Sequence, residues 1–124
     1  MADHEVWDCE RRFWLDSGKF YNEHVTSDAV LVFPAVGIVD RAAGLVWARR
    51  APRWTRLTFS NRIFSCAAET AVLAYEAHAE ATKPAHTYHA CCSSTYIRMR
   101  QLQLRQQKTG RRSRKNYLME QLVG

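Results

Sequence analysis

Five side chains between residues 75 and 96 have the right chemistry for a site: Tyr75, His86, Tyr88, His89 and Tyr96. A tyrosine hydroxyl can hydrogen-bond a ligand carbonyl, and an imidazole can move a proton near neutral pH. Carboxylates, the usual partners in such chemistry, are scarce here. Between Asp40 and the basic C-terminal stretch the chain has only Glu69, Glu76 and Glu80. Glu76, His78 and Glu80 alternate along one strand face. Over i, i+2 and i+4 they spread across about 13 Å, too far to ligate one ion, so a solvated face is expected and no metal site. The four cysteines, Cys9, Cys66, Cys91 and Cys92, contain no C-x-x-C pair, and the vicinal pair points to opposite faces of a strand. They read as reduced structural thiols rather than zinc ligands or a redox couple.

The elements that must carry these groups follow from periodicity. The doublets Val6-Trp7, Phe13-Trp14 and Phe20-Tyr21 recur every seven residues, two helical turns, and so share one helix face. Asp8, Glu10, Arg11 and Arg12 fall mostly off that face, and Ser17-Gly18 divides the helix into a long and a short piece. After a polar exit over His24–Asp28, Ala29-Val30-Leu31-Val32-Phe33 reads as a strand buried on both faces and stopped by Pro34. Gly37 permits a turn into Ile38-Val39. Asp40 caps a helix over Arg41–Arg50, with Leu45 and Val46 facing inward, ended by Ala51-Pro52.

Beyond Pro52 the pattern alternates. One strand spans Trp54–Cys66, with Leu57, Phe59, Asn61 and Ile63 on one side. A second spans Thr70–Ala81, placing Ala71, Leu73, Tyr75, Ala77 and Ala79 opposite Glu76, His78 and Glu80. A third spans His86–Arg98, with His86, Tyr88 and Tyr96 on one face, and Gln101–Gln107 is a weaker candidate for another. Helices first and long antiparallel strands afterwards indicate α+β, a curved sheet forming a cone with N-terminal helices on its concave face.

The chain's 124 residues make one domain. Its net charge of +6 is uneven: residues 1–97 hold ten basic and eleven acidic side chains, and residues 98–124 hold eight basic side chains against Glu120 alone. The basicity belongs to the C-terminus, with a globular domain over 1–109 and a basic tail over 110–124. Such a tail is expected to be a solvated terminus. Nucleic-acid binding is the alternative, weakened by the absence of an aromatic in the Gly110–Lys115 segment. No apolar run reaches the length of a membrane span, and the polar start Met1-Ala2-Asp3-His4-Glu5 is unlike a secretory signal, so a cytoplasmic protein without membrane contact is expected.

Glu10, Phe13-Trp14, Phe20-Tyr21, Ser27–Pro34, Gly37–Arg41, Trp54, Tyr75 and Ser94-Thr95-Tyr96, in that order and spacing, resemble the nuclear-transport-factor-2-like superfamily, and within it the bacterial SnoaL-like group. The resemblance covers about residues 5–98. It implies a cone-shaped (cystatin-like) α+β barrel, an apolar pocket and a homodimer formed through the sheet. Two departures matter. Ketosteroid-isomerase-like members carry a carboxylate base before the proline that ends the first strand; here that position is Phe33, whose ring accepts no proton. Relatives also carry a Trp and a His in their last strand, and Arg100–Gln107 has neither, which puts that strand in doubt. The expectation is a pocket that binds a small apolar or aromatic molecule through Trp14, Tyr21, Phe33, Trp54, Tyr75, His86 and Tyr96, with no cofactor. A small isomerase, cyclase or dehydratase using Tyr75 and a histidine is the alternative.

Overall fold

The computed structural model describes residues 1–111 except Ser17, Ala35 and Pro84, with Arg111 given by its backbone alone. Three helices and six strands follow one another as α1 (Asp3–Leu15), α2 (Gly18–His24), β1 (Val25–Phe33), β2 (Gly37–Val39), α3 (Arg41–Arg50), β3 (Arg56–Ala67), β4 (Thr70–Thr82), β5 (Ala85–Arg98) and β6 (Leu102–Arg111). The strands form one curved, mixed sheet in the order β2-β1-β6-β5-β4-β3. All neighbours are antiparallel except β1 and β6, which run parallel.

Local chemistry explains the helices. α1 carries Asp3 and Glu5 in its first turn and Arg12 in its last, the arrangement that the helix dipole favours. It stops at Asp16, whose backbone N–H bonds to Arg12 O at 2.8 Å while its carboxylate pairs with the Arg12 guanidinium. Asp40 caps α3 as expected, its side chain accepting from Ala43 N at 2.9 Å. Gly37, at φ +90°, makes the turn into β2 that a residue with Cβ would resist. The core lies between helices and sheet: Val6 and Trp7 of α1 and Phe20 and Tyr21 of α2 pack with Leu31, Leu73, Tyr96 and Leu104 from four strands.

The structure corrects the sequence expectations in four places. β1 begins at Val25, inside the supposed polar exit, and is buried on one face only. Val30 is 50% exposed because β1 lies second from the sheet's edge with helices on one side. In α3, Leu45 packs against the core but Val46 points outward. β3 carries a bulge. Ser60 pairs with Glu76 and Ile63 with Ala74, and Asn61 takes a positive φ of 50°. The extra residue reverses the alternation, so Phe64 faces the core and Ile63 is 69% exposed. Finally, the doubtful last strand is well formed and central, pairing with β5 on one side and β1 on the other. It continues through Gly110 and Arg111, so the first two residues assigned to the basic tail are in the sheet. The rest of that tail, 112–124, lies outside the described residues. Among the described residues, no helix is long and apolar enough to cross a membrane.

Candidate functional site

Two features meet at Trp14: a buried polar network inside the core and a cavity outside it. The network centres on Glu10, which is fully buried. Its carboxylate accepts hydrogen bonds from the hydroxyls of Tyr75, Ser94 (2.7 Å) and Tyr96 (2.5 Å). Tyr75 in turn accepts from the Trp14 indole Nε1–H at 2.9 Å. The direction is set by chemistry, because an indole N–H only donates, which leaves the Tyr75 hydrogen to point at Glu10. Burial pushes the Glu10 carboxyl above its ordinary value, and the three hydroxyls partly oppose that rise. Burial beside Glu10 likewise pushes the Tyr75 and Tyr96 hydroxyls well up and the Cys9 and Cys92 thiols to about 12.

The helix and strand registers build this network. On α1, Glu10 stands four residues after Val6 and four before Trp14, in the middle of the apolar stripe rather than off it. Tyr75 on β4 pairs with Cys92 on β5, and Leu73 pairs with Ser94, so the three hydroxyl residues come from adjacent inward positions on two neighbouring strands.

The cavity has a volume of about 690 Å³. It is walled by Phe13 and Trp14 of α1, Tyr21 of α2, Phe33 of β1, Trp47 of α3 and Trp54 from the segment after Pro52. His86 and Tyr88 of β5 and Gln107 and Thr109 of β6 complete it. Trp54 stacks with His86 (centroids 5.7 Å apart, 25° between planes) and with Tyr88 (5.9 Å, 22°). Trp14 leans against both Trp54 and Tyr88. The Tyr21 hydroxyl donates to Arg41 O at 2.9 Å, and burial raises it to about 12.

Five of the seven residues expected at a pocket are therefore on one wall: Trp14, Tyr21, Phe33, Trp54 and His86. Tyr75 and Tyr96 are not. Their hydroxyls are turned to Glu10 in the core, with Trp14 hydrogen-bonded to Tyr75 from the cavity side. Sequence reasoning missed Glu10 because its charge was weighed ahead of its helical phase. That phase, between Trp7 and Phe13, was the available signal. Among the described residues no group of three or more metal-ligating side chains converges. His78 contacts Glu80 at 3.5 Å on an exposed stretch of the sheet. The wall has one carboxylate among the described residues, Asp16, held by Arg12 at 2.8 Å. The arrangement can enclose and orient a planar molecule, and its one buried acid is sealed behind Tyr75.

No family model matches the chain, and no curated protein sequence does. Solved structures do. A Parabacteroides distasonis protein provisionally assigned as a ketosteroid isomerase superposes with a TM-score of 0.76 at 12% identity, over 88% of this chain and 86% of that one. A nuclear-transport-factor-2-like protein of Cytophaga hutchinsonii gives 0.73 at 10% identity, over 90% and 100%. A Nostoc punctiforme protein of unknown function with a cystatin-like fold gives 0.72 at 14%, over 89% and 90%. At these identities the likeness is one of architecture. The chain has the nuclear-transport-factor-2-like fold.

Proposed function

We propose that this chain is a small-molecule-binding domain of the SnoaL-like type, whose cavity takes a small apolar or aromatic molecule. The observation that carries this reading is the cavity's wall: about 690 Å³ lined by five tryptophan, tyrosine and phenylalanine rings from three helices and a strand, closed by the Trp54 stack. That volume and lining suit a ligand pocket, mostly apolar with a few polar groups to orient the guest. Binding is favoured over proton-transfer catalysis because Phe33 replaces the expected base and Glu10 is enclosed by hydroxyls. In the same reading two copies associate through the outer sheet face, where Ile63 and Val72 are exposed; sedimentation equilibrium showing a monomer at micromolar concentration would remove that part.

The test is thermal unfolding of the full chain with neutral bicyclic aromatics such as 2-naphthalenemethanol. A ligand at about 100 times its Kd stabilises the native state by about 2.7 kcal/mol, a rise of several degrees in a domain of this size. Trp54→Ala should abolish the rise. No stabilisation by any member of a panel of such compounds would refute the reading.

A further inference from the structure

The mouth of the cavity is cationic. Arg49 and Arg50 end α3, and Arg53 follows the Ala51-Pro52 break; all three residues line the cavity and are exposed to solvent. None has an acidic partner among the described residues. The wall's only described carboxylate, Asp16, is already neutralised by Arg12. The carbonyls at the end of α3 account for Arg49 and Arg50, since cations are favoured at a helix C-terminus. They do not account for Arg53, which stands beyond the helix beside Trp54 in sequence and adds a third like charge to the same rim. Three cations without an acidic partner among the described residues, next to an apolar enclosure, favour an anion there. A guanidinium also matches a carboxylate in shape and charge, giving two parallel N–H···O bonds.

We infer that the ligand of this cavity is an aromatic acid: a flat apolar body against Trp14, Phe33 and Trp54, with a carboxylate at the Arg49, Arg50 and Arg53 rim. This rests on the pocket reading above and adds the sign of the ligand's charge.

The experiment is calorimetric titration of the full chain with three probes of one size: 2-naphthoate, 2-naphthalenemethanol and 2-naphthylmethylammonium. At low salt the acid should bind about tenfold more tightly than the neutral alcohol, and the ammonium more weakly than either. Added salt should shrink the acid's advantage, because the rim is exposed to solvent. In the triple variant Arg49→Gln, Arg50→Gln, Arg53→Gln the acid's advantage over the alcohol should disappear. Arg105→Gln, which removes an arginine paired to Asp28 at 3.5 Å rather than one on the cavity wall, should alter neither. Equal binding of acid and alcohol, or tighter binding of the ammonium, overturns the inference and leaves the pocket standing. Failure of all three probes overturns both.

Discussion

Two substitutions at Glu10 separate what its charge does from what its oxygen atoms do. Glu10→Ala removes the acceptor of three buried hydroxyls, on Tyr75, Ser94 and Tyr96. Leaving a buried donor unsatisfied costs about 1–3 kcal/mol, so three together cost about 3 kcal/mol or more, reduced where water enters the vacated space and accepts from the hydroxyls. Against the ~5–15 kcal/mol that holds a small domain together, that is a large fraction. Glu10→Gln keeps the volume and one acceptor oxygen, and it ends the cost of burying a charge. Its stability at pH 7 should lie within about 1 kcal/mol of the wild type.

The pH dependence is more specific. Burial raises the Glu10 carboxyl above its ordinary value of 4.5 in the folded chain. From 4.5 up to that raised value the folded protein binds more protons than the unfolded one, so stability falls as pH rises, and above it the slope vanishes. Glu5, lowered by its hydrogen bond from Arg98, has the opposite sign and acts below 4.5. Urea unfolding followed by circular dichroism, from pH 4.5 to 8, should show wild-type stability declining relative to Glu10→Gln across this window and levelling off afterwards. A constant difference between the two proteins, or Glu10→Ala within 1 kcal/mol of wild type, would refute the account of the network.

Thiol labelling should distinguish the cysteines: exposed Cys66 should react at the rate of a free thiol, while Cys9 and Cys92, buried and raised to about 12, should react about a hundredfold or more slowly until the chain unfolds. Gly44→Ala should destabilise by about 1–3 kcal/mol in denaturant titration, because a Cβ there would collide with the Tyr21 hydroxyl and Leu31 Cδ1. Asp40→Ala, which removes the cap from α3, should cost about 1 kcal/mol by the same measurement.

Helix boundaries and strand order along the chain were legible because apolar spacing is a local property. The doublets at Val6-Trp7, Phe13-Trp14 and Phe20-Tyr21 are enough to give α1, its break and α2. What was not legible depends on partners far away in sequence. The side of Ile63 turns on a bulge opposite β4, and the exposure of Val30 on which strands flank β1. β6, with polar residues at Gln103, Arg105, Gln106 and Gln107, looks like a poor strand until its neighbours β1 and β5 are known. The cavity's aromatics could be nominated by type, but placing Tyr75 behind Trp14 instead of beside it required knowing that Glu10 was inside.

β6 also sets the order in which this fold can be completed. A ribosome delivers α1, α2, the β1–β2 hairpin and α3 first, then the β3–β4–β5 meander. The hairpin does not pair with the meander directly; β6 joins them, with Val30 opposite Gln106 and Ser94 opposite Gln107. Leu102 and Leu104 place their side chains into a core already waiting on both sides. Until residues 102–111 leave the exit tunnel, the nascent chain is two partly formed sheets with two unpaired inner edges, open to pairing with other chains. The sheet's centre is thus made last, and closure of the hairpin onto the meander comes as a late, long-range step.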